Sequence, residues 1–222
     1  NVLLPMKPLD VFTPSYQLGE EIRSNFLAPR GIRAKRIYDA DYGVAPEVTP
    51  CTNPNVQTAW STSTYGLVTW MTHGSRTNAV DIFGSASAPS LNDARPSFTF
   101  QASCLNGAPE NANNLGYALL RNGAIGTVSA SRVSWGSRGQ SSFTGMPQSV
   151  GQLAYAYTGA LINDSLVAGR ALDKVRRAMA VRSAANAMNL SDFNLYGDPS
   201  VGIFTSSRSG RDILPSILTT IF

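Results

Sequence analysis

Tyr65-Gly66-Leu67-Val68-Thr69-Trp70-Met71-Thr72-His73-Gly74-Ser75 is an apolar, β-branched and aromatic run that ends on a histidine. Ser97-Phe98-Thr99-Phe100-Gln101-Ala102-Ser103-Cys104-Leu105-Asn106-Gly107 repeats the pattern and ends on a cysteine. Such runs alternate along the chain with helical patterns, which is the signature of a parallel α/β sheet. In an open parallel sheet, ligands and catalytic groups gather at the carboxyl ends of the strands. The two runs therefore predict strands that deliver His73 and Cys104 side by side. His73 is the single histidine of the chain, and Cys104 is one of two cysteines.

Outward from this pair the remaining elements follow. Val2 to Met6 reads as a short strand and Gly31 to Tyr38 as another. Tyr16 to Leu27 carries Leu18, Ile22 and Phe26 at four-residue spacing, an amphipathic helix. Residues 43–64, rich in Pro, Thr, Asn and Ser, read as an irregular loop. A Gly, Ser, Ala and Pro loop fills 84–97. Asn113 to Arg121 reads as a helix that stops at Asn122-Gly123, and Ala124 to Ala130 as a buried strand. A Ser, Gly and Arg-rich loop spans 131–147. Residues 149–188 read as helical, broken near Gly159 or Asn163. Val201 to Thr205 is expected as a last strand, after the turn Gly197-Asp198-Pro199. There is no internal repeat and no linker, so one domain over residues 1–222 is expected.

Composition narrows the classes. The 222 residues are 43% hydrophobic and only 14% charged, the balance of a globular chain with one sizeable core. The net charge of +4 comes from scattered cations. The two small basic clusters, Arg30 to Arg36 and Lys174 to Arg177, lack interleaved aromatics, which excludes a nucleic-acid face. No apolar run reaches the ~20 residues that span a bilayer, so no membrane span is expected. The chain opens Asn1-Val2-Leu3-Leu4-Pro5, without methionine, as a trimmed form would.

A cysteine and a histidine at neighbouring strand ends make a thiol nucleophile with its proton carrier. Small residues follow both. Gly74, lacking a Cβ, lets a substrate carbonyl approach its N–H, and a cysteine at a strand end leaves its own N–H free. Gly74 and Cys104 are thus the expected oxyanion donors. Against this stand the plainer readings, a buried core thiol and a structural histidine. Their coincidence at corresponding strand ends favours the reactive pair. One histidine and two distant cysteines cannot complete a zinc site. Phosphate-binding loops, dinucleotide fingerprints and serine-hydrolase elbows are absent. No cofactor is expected. Asp39-Ala40-Asp41 is the one place for a structural calcium, and a solvated turn explains it as well.

At these residues the chain resembles a known family. His73-Gly74-Ser75 followed by Gln101-Ala102-Ser103-Cys104-Leu105-Asn106-Gly107 is similar to the His-Gly and Ala-Cys motifs of the caspase-haemoglobinase superfamily, and within it to the gingipain-type cysteine peptidases. Ile37-Tyr38-Asp39-Ala40-Asp41-Tyr42-Gly43-Val44, Ser134-Trp135-Gly136-Ser137-Arg138-Gly139-Gln140 and Asn194-Leu195-Tyr196-Gly197-Asp198-Pro199 resemble further family segments in the same order. The resemblance implies a three-layer α/β/α sandwich with a mostly parallel, caspase-haemoglobinase-like sheet. It implies a thiol endopeptidase that cuts after a basic residue through an acyl-enzyme, with Cys104 as nucleophile and His73 as acid and base. By position it makes Asp10 the acid that orients His73. Glu20 or Glu21 becomes the acid of the specificity pocket, and Trp135 its aromatic wall. The alternative for Glu20 and Glu21 is an exposed first helical turn favoured by the helix dipole. The expected partners are a protein or peptide substrate and a pro-segment or other portion of the same precursor. The expected setting is bacterial export to the cell surface or medium, as a zymogen. The chain lacks the extra N-terminal subdomain and adhesin-like tails usual in that family, so it is expected to be a processed portion of a larger precursor. A transpeptidase or self-processing enzyme of the same fold, and a silent scaffold that binds without reacting, are the competing functions.

Overall fold

The computed structural model describes residues 1–203. Its strands and helices run β1 (Val2–Met6), α1 (Tyr16–Ile22), β2 (Ala34–Tyr38), α2 (Asn53–Thr62), β3 (Leu67–Met71), the two-residue strands β4 (Asn78–Ala79) and β5 (Phe83–Gly84), and β6 (Ser97–Ala102). They continue with α3 (Leu115–Leu120), β7 (Ala124–Ala130), α4 (Val150–Ile162), α5 (Ala168–Ala178), α6 (Ala184–Asp192) and β8 (Phe193–Gly197). Six strands form one sheet in the order β2-β1-β3-β6-β7-β8. The first five are mutually parallel, and β8 closes the edge antiparallel to β7.

Alternation along the strands splits the interior into two layers, because successive side chains point to opposite faces. Leu67, Met71, Phe98, Phe100, Ala102 and Val128 face the helices α1, α4 and α5 and join one core. Val68 and Trp70 face the other way, into a second core with Val56 and Trp60 of α2, Phe83, and Leu115 and Leu119 of α3. On this second face β6 and β7 present Ser97, Thr99, Gln101, Thr127 and Ser129, all buried. The result is the expected three-layer α/β/α sandwich.

Helix starts follow local chemistry. Ser149 caps α4 in a reciprocal capping box with Gln152, and Asn114 caps α3 through the Tyr117 N–H. The helix expected over Tyr16 to Leu27 is α1 followed by a π-helical turn at Arg23–Leu27. The break expected within 149–188 falls at Asn163, the C-cap of α4, and α5 and α6 follow.

Two expectations are overturned. The loop expected over 43–64 contains α2. Pro54 sits in its first turn, where proline costs no hydrogen bond, and Val56 and Trp60, four residues apart, are buried against the sheet. The last strand precedes the Gly197 turn rather than following it. Phe193 anchors β8 by stacking on Phe100, with ring centroids 5.4 Å apart. Gly197 turns the chain at φ +114°, where a Cβ would lie 2.6 Å from the Ile125 carbonyl oxygen. Val201 to Ile203 are irregular, and residues 204 and 205 lie outside the described residues.

Candidate active site

Four loops meet at the carboxyl ends of four successive strands of the sheet. Leu9 and Asp10 follow β1, Thr72 and His73 follow β3, Cys104 follows β6, and Val133 to Arg138 follow β7. Together they line one cleft of about 320 Å³. The chain reverses direction across the sheet between β1 and β3, so the cleft opens at the switch point where open α/β sheets bind ligands.

β3 and β6 are hydrogen-bonded neighbours, Met71 opposite Ala102. His73 and Cys104 each lie two residues beyond that pair. The thiol of Cys104 is half-buried and donates to the Ser134 carbonyl oxygen at 3.4 Å. The Ser134 hydroxyl lies 3.7 Å from the same sulfur. Leu105, the next residue, is held in the left-handed region at φ +63°.

The imidazole of His73 contacts the Leu9 carbonyl oxygen through Nε2 at 2.6 Å. A carbonyl only accepts, so Nε2 carries the proton, and in the neutral ring Nδ1 keeps the free lone pair. The contact that orients the ring is therefore a main-chain oxygen, one residue before the carboxylate expected in that role. Asp10 lines the cleft, but its Oδ1 accepts the Phe12 N–H at 2.7 Å and closes the turn from Asp10 to Thr13. That N–H holds its carboxyl below the usual range.

Gly74 packs its Cα onto the neighbouring loop. A Cβ there would lie 2.4 Å from the Cys104 carbonyl oxygen and 2.8 Å from the Cys104 nitrogen. The missing side chain makes room for the Cys104 backbone, which sequence reasoning had not foreseen. Among the described residues, the N–H groups of Gly74 and Cys104 donate to no protein acceptor.

Glu20 and Glu21 do not line the cleft. Glu20 accepts from Arg36 Nη1 and from the Tyr38 hydroxyl, both at 2.9 Å. Arg36, only 6% exposed, also binds Glu47 and the carbonyls of Val44 and Ala45. Glu21 accepts the Phe143 N–H at 2.7 Å. A buried arginine needs compensating charge, and Glu20 supplies it. This is neither the pocket acid nor the solvated first turn weighed from sequence.

Trp135 is 46% exposed at the cleft wall. Its main chain is clamped by Asn189 of α6, whose Oδ1 accepts the Trp135 N–H and whose Nδ2 donates to the Trp135 carbonyl, both at 2.8 Å. Arg138 at the rim lies over the Phe12 ring, 4.3 Å from its centroid. The carbonyl of Leu9 and the side chain of Asn189 carry no motif, and sequence reasoning missed both.

The calcium expectation at Asp39-Ala40-Asp41 meets a different arrangement. Asp39 pairs with Lys7, and Asp41 accepts the Ala45 N–H at 2.7 Å. No group of three or more His, Cys, Asp or Glu among the described residues could hold a metal ion. No helix among them is long and apolar enough to cross a membrane.

The fold is shared with solved peptidases. The structure described as the Arg-specific cysteine proteinase gingipain R (RgpB) aligns with TM-score 0.68 at 17% identity, over 91% of this chain and 46% of that one. The complex of the pro- and mature domains of Porphyromonas gingivalis RgpB aligns with TM-score 0.64 at 16% identity, over 91% and 48%. A structure described only as a protease aligns with TM-score 0.58 at 13% identity, over 90% and 48%. The chain thus spans about half the length of these proteins. Comparison with curated protein sequences returns no match. The family model of peptidase family C25 matches residues 13–204, a span that holds His73, Cys104 and Trp135: the chain belongs to peptidase family C25.

Proposed function

We propose that the chain is the reactive body of a cysteine endopeptidase, with Cys104 as nucleophile and His73 as proton carrier. The observation that carries this reading is the cleft that the two side chains share at adjacent strand ends. In the reaction, Nδ1 of His73 takes the proton of the Cys104 thiol, and the thiolate attacks the scissile carbonyl carbon. The S–C bond forms as the C=O electron pair moves onto oxygen, where the N–H groups of Gly74 and Cys104 receive it. The tetrahedral species collapses to a thioester, the C–N bond breaks, and protonated His73 gives its proton to the leaving amine. Water then attacks the thioester with His73 as base, and the thiol is restored. The Leu9 carbonyl holds the Nε2–H in place, so that Nδ1 is the nitrogen that takes and gives the proton. Trp135 walls the subsite for the side chain before the cut.

A preference for Arg or Lys at that subsite rests on Asp10, because Glu20 and Glu21 are engaged with Arg36 and Phe143. Export, a zymogen state and a pro-segment partner belong to the same proposal. They draw on a relative whose pro- and mature domains form a complex.

Peptidyl electrophiles ending in Arg, Lys or a neutral residue test it. Covalent addition to Cys104, abolished in Cys104→Ala, is the expected result. Asp10→Asn keeps the acceptor for Phe12 and removes the charge, so it should slow the basic peptides and spare the neutral one. Folded protein that no such peptide labels would be a scaffold, and the proposal would fall.

A further inference from the structure

Gly74 and Cys104 stand on separate loops, after β3 and after β6, and one buried amide joins those loops. Asn106 is 0% exposed. Its Nδ2 donates to the Ser75 carbonyl at 2.6 Å and the Asn78 carbonyl at 3.0 Å, both on the Gly74 loop. Its Oδ1 accepts the Ser103 hydroxyl, next to Cys104. The Ser103 oxygen in turn accepts the indole N–H of Trp70 in β3, at 3.0 Å. Both hydrogens of the amide are used, and its oxygen has a partner, so the bridge has one geometry.

Two further features belong to the same device. The start of α3 ties both loops again, since Gly116 N–H donates to the Asn106 carbonyl and Leu115 N–H to the Arg76 carbonyl, each at 2.8 Å. Leu105, between Cys104 and Asn106, holds the left-handed conformation at φ +63°. That conformation is costly for a residue with a Cβ and persists only where its surroundings over-determine it.

We infer that Asn106 is a positioning residue that sets the spacing of the Gly74 and Cys104 N–H groups, and so the geometry of the oxyanion site. The inference rests on the peptidase reading above. Asn106 touches no substrate. It acts by holding two carbonyls of the Gly74 loop and accepting the Ser103 hydroxyl of the Cys104 loop.

A merely structural role would lower stability and thiol reactivity together. A positioning role separates two reactions of the same sulfur. Acylation by a peptide ester puts charge on the carbonyl oxygen and needs both N–H groups. Alkylation by iodoacetamide forms the S–C bond as iodide leaves and makes no oxyanion. Asn106→Leu should therefore lower kcat for the ester by about 100-fold, the scale of a ~1 Å misplacement. KM and the iodoacetamide rate at Cys104 should stay as in the wild type. If Asn106→Leu shows no cooperative unfolding transition, Ser103→Ala replaces it. That change frees the amide oxygen and the Trp70 indole N–H but keeps both Nδ2 bonds to the Gly74 loop, and it should move kcat in the same direction by less. Equal loss of both reactions, or loss of neither, overturns the inference. Wild-type protein that alkylates but does not acylate overturns the peptidase reading itself.

Discussion

Gly74 shows how a single missing methyl group bears on chemistry. Its Cα rests on the main chain of Cys104, and the atoms that a Cβ would strike are a carbonyl oxygen and an amide nitrogen. Neither can rotate away as a side-chain tip would. Gly74→Ala must therefore separate the ends of β3 and β6. Overpacking of this kind costs roughly 1–3 kcal/mol of stability, which a domain of this size survives. Acylation should fall as well, about 100-fold, because a shift of ~1 Å between reacting groups costs that much. Thermal melting against acylation rate checks the pair of expectations. A variant that melts early but acylates normally would show that the contact only packs the loops. Gly19 provides the contrast. A Cβ there meets the Tyr38 hydroxyl at 2.3 Å, beside Arg36 and Glu20 and away from the cleft. Its loss belongs to folding alone.

On the proposed mechanism, the elements divide the cleft into a reacting part and a substrate-holding part. α6 lies behind the loop of Trp135, and Asn189, 1% exposed, pins both the N–H and the carbonyl of that residue. Asn189→Leu leaves the Trp135 N–H unpaired, at about 1–3 kcal/mol, while the Trp135 carbonyl keeps only the Val150 N–H. The wall then loosens while Cys104 and His73 keep their strand ends. KM should rise several-fold with kcat nearly unchanged, the signature of lost uniform binding. Steady-state kinetics on one peptide ester checks this, and a fall in kcat at constant KM would refute it. The same element was out of reach of motif reading, since a buried asparagine in an Ala-rich helix looks like any other. The strands were legible. Val2–Met6 and Ala124–Ala130 have the bounds their apolar runs predict, and the runs ending at His73 and Cys104 lie side by side. α2 was hidden because Pro, Asn and Thr dominate its sequence, and only the packing of Val56 and Trp60 against the sheet decides for helix. β8 was misplaced because Val201-Gly202-Ile203-Phe204 has the stronger apolar run. The edge strand is instead chosen by Phe193 reaching Phe100. Leu9 could not be found at all, since it contributes a main-chain carbonyl that any residue would supply. Glu20 was misread because its partner, Arg36, comes from β2 and meets it only in the folded chain.

The whole molecule carries its charges unevenly, and its acid stability follows from that. Phe12 N–H holds Asp10 below the usual carboxylate range. The Ser200 side chain and backbone do the same for Asp198. For Glu47, burial works to raise the carboxyl, but Arg36 outweighs it through hydrogen bonds and charge, and the net direction is down. Each of these groups binds its proton more weakly folded than unfolded. Each therefore stabilises the fold above the ordinary carboxylate pKa of about 4, and that stability drains as pH falls through the lowered folded values. Asp192 runs the other way. Burial pushes its carboxyl up, so its ionisation disfavours the fold as pH rises through the raised value, and acid relieves that cost. Glu110 is lowered too, by a backbone hydrogen bond and by Arg132, so among the described residues four carboxyls oppose one, and the cluster around the buried Arg36 joins β2, α1 and the 44–47 loop. Arg36 cannot lose its own charge, so protonating Glu47 removes one of its two carboxylate partners and leaves Glu20 alone to compensate it. Melting temperature should thus fall from pH 7 toward pH 3. Glu47→Gln, which fixes the neutral state, should melt lower at pH 7 and show a shallower decline. Asp192→Asn should raise the melting temperature at pH 7 and converge on the wild type in acid. Parallel melting curves for wild type and Glu47→Gln across that range would mean that the Arg36 cluster carries none of the acid sensitivity.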